Sequence, residues 1–398
     1  MANHNQKLHL GKFEPSQRAN TIAYAFMAIG VLTFVAGLIL NRERLWTSYL
    51  TNFFFFACLG IGGLFFVAIN HAAKAGWSVT VRRISESMTS FLPVVLIGTL
   101  VLVAGAKYLY PWTDAARVAE DPLLQGKTPY LNYPFWIIRI LVFGLGMLLF
   151  KKLMVGNSLK QDQSGDNQLT IDNVKWAVIF LLFFAVTYSL FSVDLLMTLL
   201  PHWFSTIFGI YCFAGLFQST MAFMILLTLN VQNKGIVQGY ITEEHVHDLA
   251  KYLKGFTVFW AYIAFSQFML IWYANIPEET EFYVLRAMGG WMPISIGLLI
   301  FKFAVPFIAL LPRWAKRTQG HLKAVCCLIL FAQWMDIYWL VYPNFNDNAV
   351  TFSLWEVGMF LGFLGLFLAG IYRFLSKNNV IPVKDPRLHE ALAHHVTY

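Results

Sequence analysis

Ten apolar runs of about twenty residues, each closed by a short polar break, dominate this chain. They cover 21–40, 50–73, 88–107, 132–151, 174–199, 205–231, 255–276, 291–311, 321–342 and 352–375. A helix rises ~1.5 Å per residue, so a run of this length crosses the ~30 Å of hydrocarbon in a bilayer. In oil the backbone must satisfy its own polar groups, which leaves helices as the spanning element. The pattern predicts an all-α integral membrane fold of ten transmembrane helices, with an N-tail at 1–20 and a C-tail at 376–398. The first run follows a long polar tail and has no small-residue cleavage site, so it reads as a helix rather than a secretory signal. The stretch Val186 to Phe217, VTYSLFSVDLLMTLLPHWFSTIFGIYCFAGLF, shows the logic best. It carries Asp194 inside an apolar run, breaks at Pro201-His202, and becomes apolar again at once: two helices joined by a few polar residues.

The breaks alternate in charge. Loops on the side of the termini hold 21 Lys and Arg, and the alternate loops hold six. That excess predicts cytoplasmic termini. On the outer side only 108–131 and 277–290 offer much surface, and Tyr108, Tyr110 and Trp112 read as interfacial anchors. The inner stretch Gly156 to Asn167, GNSLKQDQSGDN, reads as a mobile polar loop. Asp385 to His395, DPRLHEALAHH, suits a short solvated helix with Asp at the N-cap and Pro at N1. Its His389, His394 and His395 could take a metal, but a solvated helix is the simpler reading. Composition agrees with a polytopic membrane protein: 58% hydrophobic, 13% charged, mean hydropathy +0.58. The net charge of +8 follows the membrane sidedness and does not point to nucleic acid.

Ionisable groups inside the spans are the candidate chemistry, because charge near hydrocarbon is costly and usually faces a bundle interior or a watery path. By helical rise, Asp194, Asp336 and Glu356 lie roughly 6–11 Å inside the outer boundary. Arg139 has a similar depth, Gln267 and Gln333 come slightly deeper, and Gln333 shares a face with Asp336 at i, i+3. Lys302 falls near mid-membrane. His71 and Glu86 lie near the inner boundary, beside Arg82 and Arg83. One reading is structural: Arg139–Asp194 and Lys302–Asp336 are ion pairs that cement helices. The other takes His71, Glu86, Asp194, Lys302, Asp336 and Glu356 as a proton path, supported by Arg139, His202, Gln267 and Gln333. Burial can draw such groups towards neutrality.

Other chemistry finds little support. Cys58, Cys212, Cys326 and Cys327 all lie in apolar runs and form neither CxxC nor CxxCH, which argues against iron–sulfur, c-type haem and structural zinc. His71 lies within a span and His202 just outside one, and paired histidines for intrinsic haem are not expected. P-loop, HExxH and GxSxG motifs are absent from the sequence. Gly60, Gly62 and Gly63 read as close helix packing. A secondary transporter would need matched breaks in both halves; Pro306 and Pro293 have only Pro93 as a counterpart.

Four segments resemble one family: HAAKAGWSVTVRRISE (71–86), SVDLLMTLLPHWFSTIFGIYCFAG (192–215), HVHDLAKYLKGFTVFWAYIAFSQFMLIWYANIPEET (245–280) and PVKDPRLHEALAHH (382–395). The family is the ActF-type, second polysulfide-reductase-like (NrfD-like) membrane subunit of alternative complex III. The resemblance implies two four-helix bundles, helices 2–5 (about 50–199) and 6–9 (about 205–342), with helices 1 and 10 peripheral. It implies a subunit of a bacterial inner-membrane quinol:cytochrome c (or quinol:oxidase) oxidoreductase that anchors redox subunits. Partners would be a sister NrfD-like subunit, an iron–sulfur/molybdopterin-like subunit, c-type cytochromes and a terminal oxidase. Haem c and iron–sulfur clusters would sit on those partners, with menaquinone or ubiquinone as the pool and no cofactor on this chain. The sister subunit is the better candidate for quinol oxidation, and this one for a proton route through the matching His71, Glu86 and Asp194. The family often has an acidic residue before Pro-His; here Leu200 stands there, so one outer carboxylate is lost. Two rivals remain: a quinone headgroup held by Asp194, His202 or Arg139, and a purely structural anchor.

Overall fold

A computed structural model describes residues 8–345 and 349–395. Among them are ten helices long and apolar enough to span a bilayer: α1 (Gln17–Leu40), α2 (Arg42–Ala72), α3 (Gly76–Leu109), α4 (Tyr133–Ser164), α5 (Gln168–Leu199), α6 (Phe208–Asn233), α7 (Glu243–Ala274), α8 (Met292–Ala309), α9 (Gln319–Asn344) and α10 (Leu354–Lys377). This is an all-α, multi-pass membrane protein. Local signals set several starts. Asn132 accepts from the Phe135 amide at 2.9 Å before α4, and Ser353 with Glu356 forms a capping box on α10.

Helices α2–α5 close one four-helix bundle, each packing on its sequence neighbours and α5 returning to α2; α6–α9 close the second in the same way. The seam runs along α2 and α6, the most buried of the ten helices. Gly62 makes it possible: a Cβ there would meet the Thr220 hydroxyl at 1.9 Å. Phe65 of α2 fills the rest, with ring centroids 4.9 and 5.1 Å from Phe213 and Phe217. Outside the bundles, α1 lies along α10 where Gly30 meets Gly362; a Cβ on Gly30 would come within 2.3 Å of the Gly362 Cα. Gly362→Val is therefore expected to push these helices apart, at an overpacking cost of about 1–3 kcal/mol. A lowered thermal midpoint in detergent would register it.

Both tails lie on one face. Strand β1 (His9–Leu10) pairs antiparallel with β2 (Val237–Gln238) in the α6–α7 connection, His9 opposite Gln238. The C-tail docks on the same face. There the Val383 amide donates to Asp162 at 3.1 Å, His245 Nε2 lies 3.1 Å from the Ala391 carbonyl oxygen, and His394 lies 2.6 Å from Asp248.

The expected architecture and the observed one differ at the helix ends on the side of the tails, termed inner, with the opposite ends termed outer. Helices outlast the apolar runs: α3 begins at Gly76, α4 continues to Ser164 and α7 begins at Glu243. The stretch expected as a mobile loop, Gly156 to Asn167, is helical to Ser164. Gly165 ends it in the left-handed region at φ 70°, with its amide on the Gln161 carbonyl at 2.8 Å. Hydropathy reports only the part that meets lipid, while Leu, Lys and Gln continue the helix beyond it. The tail helix is shorter than expected, Leu388–Leu392, and is packed rather than solvated. Tyr110 and Trp112 are buried instead of interfacial. Each meets Trp136 edge-to-face, with ring centroids 5.4 Å apart.

Candidate functional site

The most unusual charge is Lys302, wholly buried in α8. Four residues on, Pro306 has no N–H for the Lys302 carbonyl, so the helical ladder fails there. The backbone widens into a π turn over Leu299–Ala304. Gln218 of α6 fills the gap, donating to the Lys302 carbonyl at 3.1 Å and to the Thr257 hydroxyl at 3.1 Å. The widened turn aims the ammonium at α9. Lys302 Nζ donates to Asp336 at 2.5 Å and to Gln333 Oε1 at 2.6 Å, and lies 4.2 Å from the Trp260 ring centroid. Tyr211 donates to the other Asp336 oxygen. A second short polar series lies farther out. Gln267 donates to the Tyr283 hydroxyl at 3.3 Å, and Ser205 donates to Gln267 at 3.3 Å. Arg286 borders this series and donates to the carbonyls of Phe282, Trp339 and Leu340. Burial pushes its guanidinium down to about 9.

Two further nodes lie near the outer end. Asp194 receives a two-pronged contact from Arg139, at 2.7 and 3.0 Å, and a hydrogen bond from Tyr130 at 2.9 Å. Beside them is a cavity of about 150 Å³ lined by Thr99, Phe135, Phe143 and Phe191 as well as the pair itself. Glu356 closes its own capping box on the Ser353 amide at 2.6 Å. Its other oxygen accepts from Arg44 at 2.7 Å, Ser48 at 2.8 Å and Tyr342 at 2.5 Å. His202 lies apart, half-exposed on the outer loop, 2.5 Å from Asp121.

The inner node is the densest. Glu86 lies between Arg82 at 3.4 Å and Arg83 at 3.1 Å, and accepts from Ser158 at 2.7 Å. Arg83 also pairs with Asp162 at 2.8 Å and Arg82 with Asp385 of the C-tail at 2.6 Å. His71 lies 3.4 Å from the Asn173 amide. Burial drives the Asp385 carboxyl up, but Arg82, the Arg387 amide and the Arg387 charge together hold it below its ordinary 3.8. A depressed carboxyl contributes stability above its unfolded value and loses it as pH falls through the folded one. The C-tail is therefore expected to stay docked at neutral pH and to loosen only below about pH 3.8. In Asp385→Asn it should exchange faster at neutral pH, with the difference from the parent closing below about pH 3.8, as read by hydrogen exchange over 382–394.

Lys302, Asp336 and Gln333 thus come together, and so do Arg139 and Asp194. Gln267 borders the first group. Glu86 and His71 share the inner end, while Glu356 and His202 stand alone with their own partners. These are separate nodes, not one ladder. Inward from Lys302, Phe217 packs on Phe256 at 4.4 Å and on Tyr252, and Tyr252 stacks on Trp77. Sequence reading missed Arg44, Tyr130, Tyr211, Asp162 and Asp385. Arg44 counted only as a loop charge, the tyrosines only as apolar bulk, and Asp385 only as an N-cap. Compared with models of protein families and with curated proteins, the chain matches none.

Proposed function

We propose that this protein is the ActF-type, NrfD-like membrane subunit of a quinol:cytochrome c (or quinol:oxidase) oxidoreductase of the alternative complex III kind. In this reading it anchors redox partners and serves a proton path through its second bundle. The observation that carries the path is the Lys302–Asp336 pair: a lysine held at depth on a broken helix turn, with a carboxylate and a phenol leading outwards. Such groups in a span mark proton or ion routes more often than packing alone requires. The separate nodes and the aromatic column at Phe217 narrow the proposal. The path we favour is an outer half-path, from Lys302 and Asp336 by Tyr211, Tyr283, Gln267 and Ser205. Glu86 and His71 then form a distinct inner node rather than its lower rungs. Haem c and iron–sulfur clusters would belong to partners, and the charge asymmetry supports cytoplasmic termini in a bacterial inner membrane.

The test is purification at native levels, followed by proton release in liposomes. A multi-haem, iron–sulfur assembly is expected, and Asp336→Asn should keep quinol oxidation while losing most of the proton release per electron. Full coupling in an assembled Asp336→Asn complex would end the proton reading. The cavity beside Arg139 and Asp194 favours a second reading, a quinone headgroup site. Under it, Asp194→Asn raises the quinol KM and leaves proton stoichiometry untouched.

A further inference from the structure

A second cavity, of about 310 Å³, opens towards the lipid between α1, α3 and α10. Its walls are apolar throughout: Met27, Val31 and Phe34 on α1, Val94 and Val101 on α3, and Phe363 on α10 line most of it. Val31 is well exposed, so the groove faces the bilayer rather than the core. Its outer end is not apolar. Tyr108 follows Val94 and Val101 at successive seven-residue steps, which sets all three on one face of α3. Tyr108 therefore caps the groove about 10 Å beyond Val101. Two exposed cations converge on it. Arg42 donates to the Tyr108 hydroxyl at 3.4 Å while its Nε holds the Leu38 carbonyl at 2.8 Å. Lys107 Nζ lies 5.0 Å from the ring centroid. The bond to Leu38 anchors Arg42 above α1, on the side where the groove opens.

We propose that this face is a site for one anionic phospholipid of the leaflet opposite the termini. Its phosphate is held by Arg42 and Lys107, and one acyl chain lies in the groove. The two cations match a phosphodiester with no cationic headgroup beside it, and a chain descending from that phosphate meets the groove within the first few methylenes. Arg42 and Lys107 touch none of the nodes above, so the site does not rest on the proposed function.

Native mass spectrometry of the purified protein, incubated with equal amounts of chain-matched phosphatidylglycerol and phosphatidylcholine, tests it. The unaltered protein is expected to retain one phosphatidylglycerol with about tenfold preference, which glycerol phosphate alone does not displace. Arg42→Gln/Lys107→Gln should lose the preference while keeping the fold, because both side chains are exposed. Val101→Trp should fill the groove and lose the retained lipid altogether. Preference unchanged in the double variant, retention unchanged in Val101→Trp, or displacement by glycerol phosphate would each overturn the proposal.

Discussion

Lys302→Met is expected to destabilise the folded chain by about 3–5 kcal/mol, the cost of stranding one member of a buried pair. The variant leaves Asp336 with Tyr211 alone, in a site closed to water, and strips Gln333 of its donor. Restoring the balance should restore the fold: Lys302→Met/Asp336→Leu replaces the pair with apolar volume, and such exchanges are often neutral or stabilising. Equilibrium unfolding in detergent would show a large loss in the single variant and most of it recovered in the double. If the single variant unfolds like the parent, the Asp336 carboxylate does not depend on that ammonium and the pair is not the keystone of the second bundle. The double variant is also a functional probe. It should fold, assemble and fail in proton release, which separates a conducting pair from a cementing one.

The backbone was far more legible than the chemistry. Ten spans could be read because twenty apolar residues have one stable solution in oil; two four-helix bundles take eight of them, and α1 and α10 pack together outside. The inner ends were not legible, since hydropathy falls where helices leave the lipid but the hydrogen-bond ladder of α4 does not stop until Gly165. Depth along a helix was readable from residue number, which placed Lys302 and Asp336 at levels where they could meet. What depth cannot give is rotation about the axis. Glu356 looked like an intramembrane carboxylate, yet its position three residues after Ser353 makes it first of all a helix cap, tied to Arg44. Asp385 looked like a cap and is instead the tail's anchor on Arg82. Pro306 was noticed as a break. Its consequence, a free carbonyl taken by Gln218 from another helix, needed the packing of α6 against α8 to appear.

The outer pair gives a second, asymmetric result: Arg139→Gln should cost more than Asp194→Asn. Without Asp194, Arg139 keeps the Tyr130 carbonyl at 3.0 Å and lies over two aromatic faces, 3.9 Å from the Tyr130 centroid and 4.5 Å from Phe135. Cation–π contact continues to compensate the charge. Without Arg139, the Asp194 carboxylate keeps only the Tyr130 hydroxyl and is almost wholly buried. Losses of about 3–5 kcal/mol for Arg139→Gln and about 1–3 kcal/mol for Asp194→Asn are expected, measured by unfolding in detergent. Equal losses would mean that the aromatic faces contribute nothing. The asymmetry also chooses the variant for function. Asp194→Asn perturbs the cavity chemistry while sparing most of the fold, so a rise in quinol KM in that protein reports on headgroup contact rather than on collapse. The same rise in Arg139→Gln alone would not.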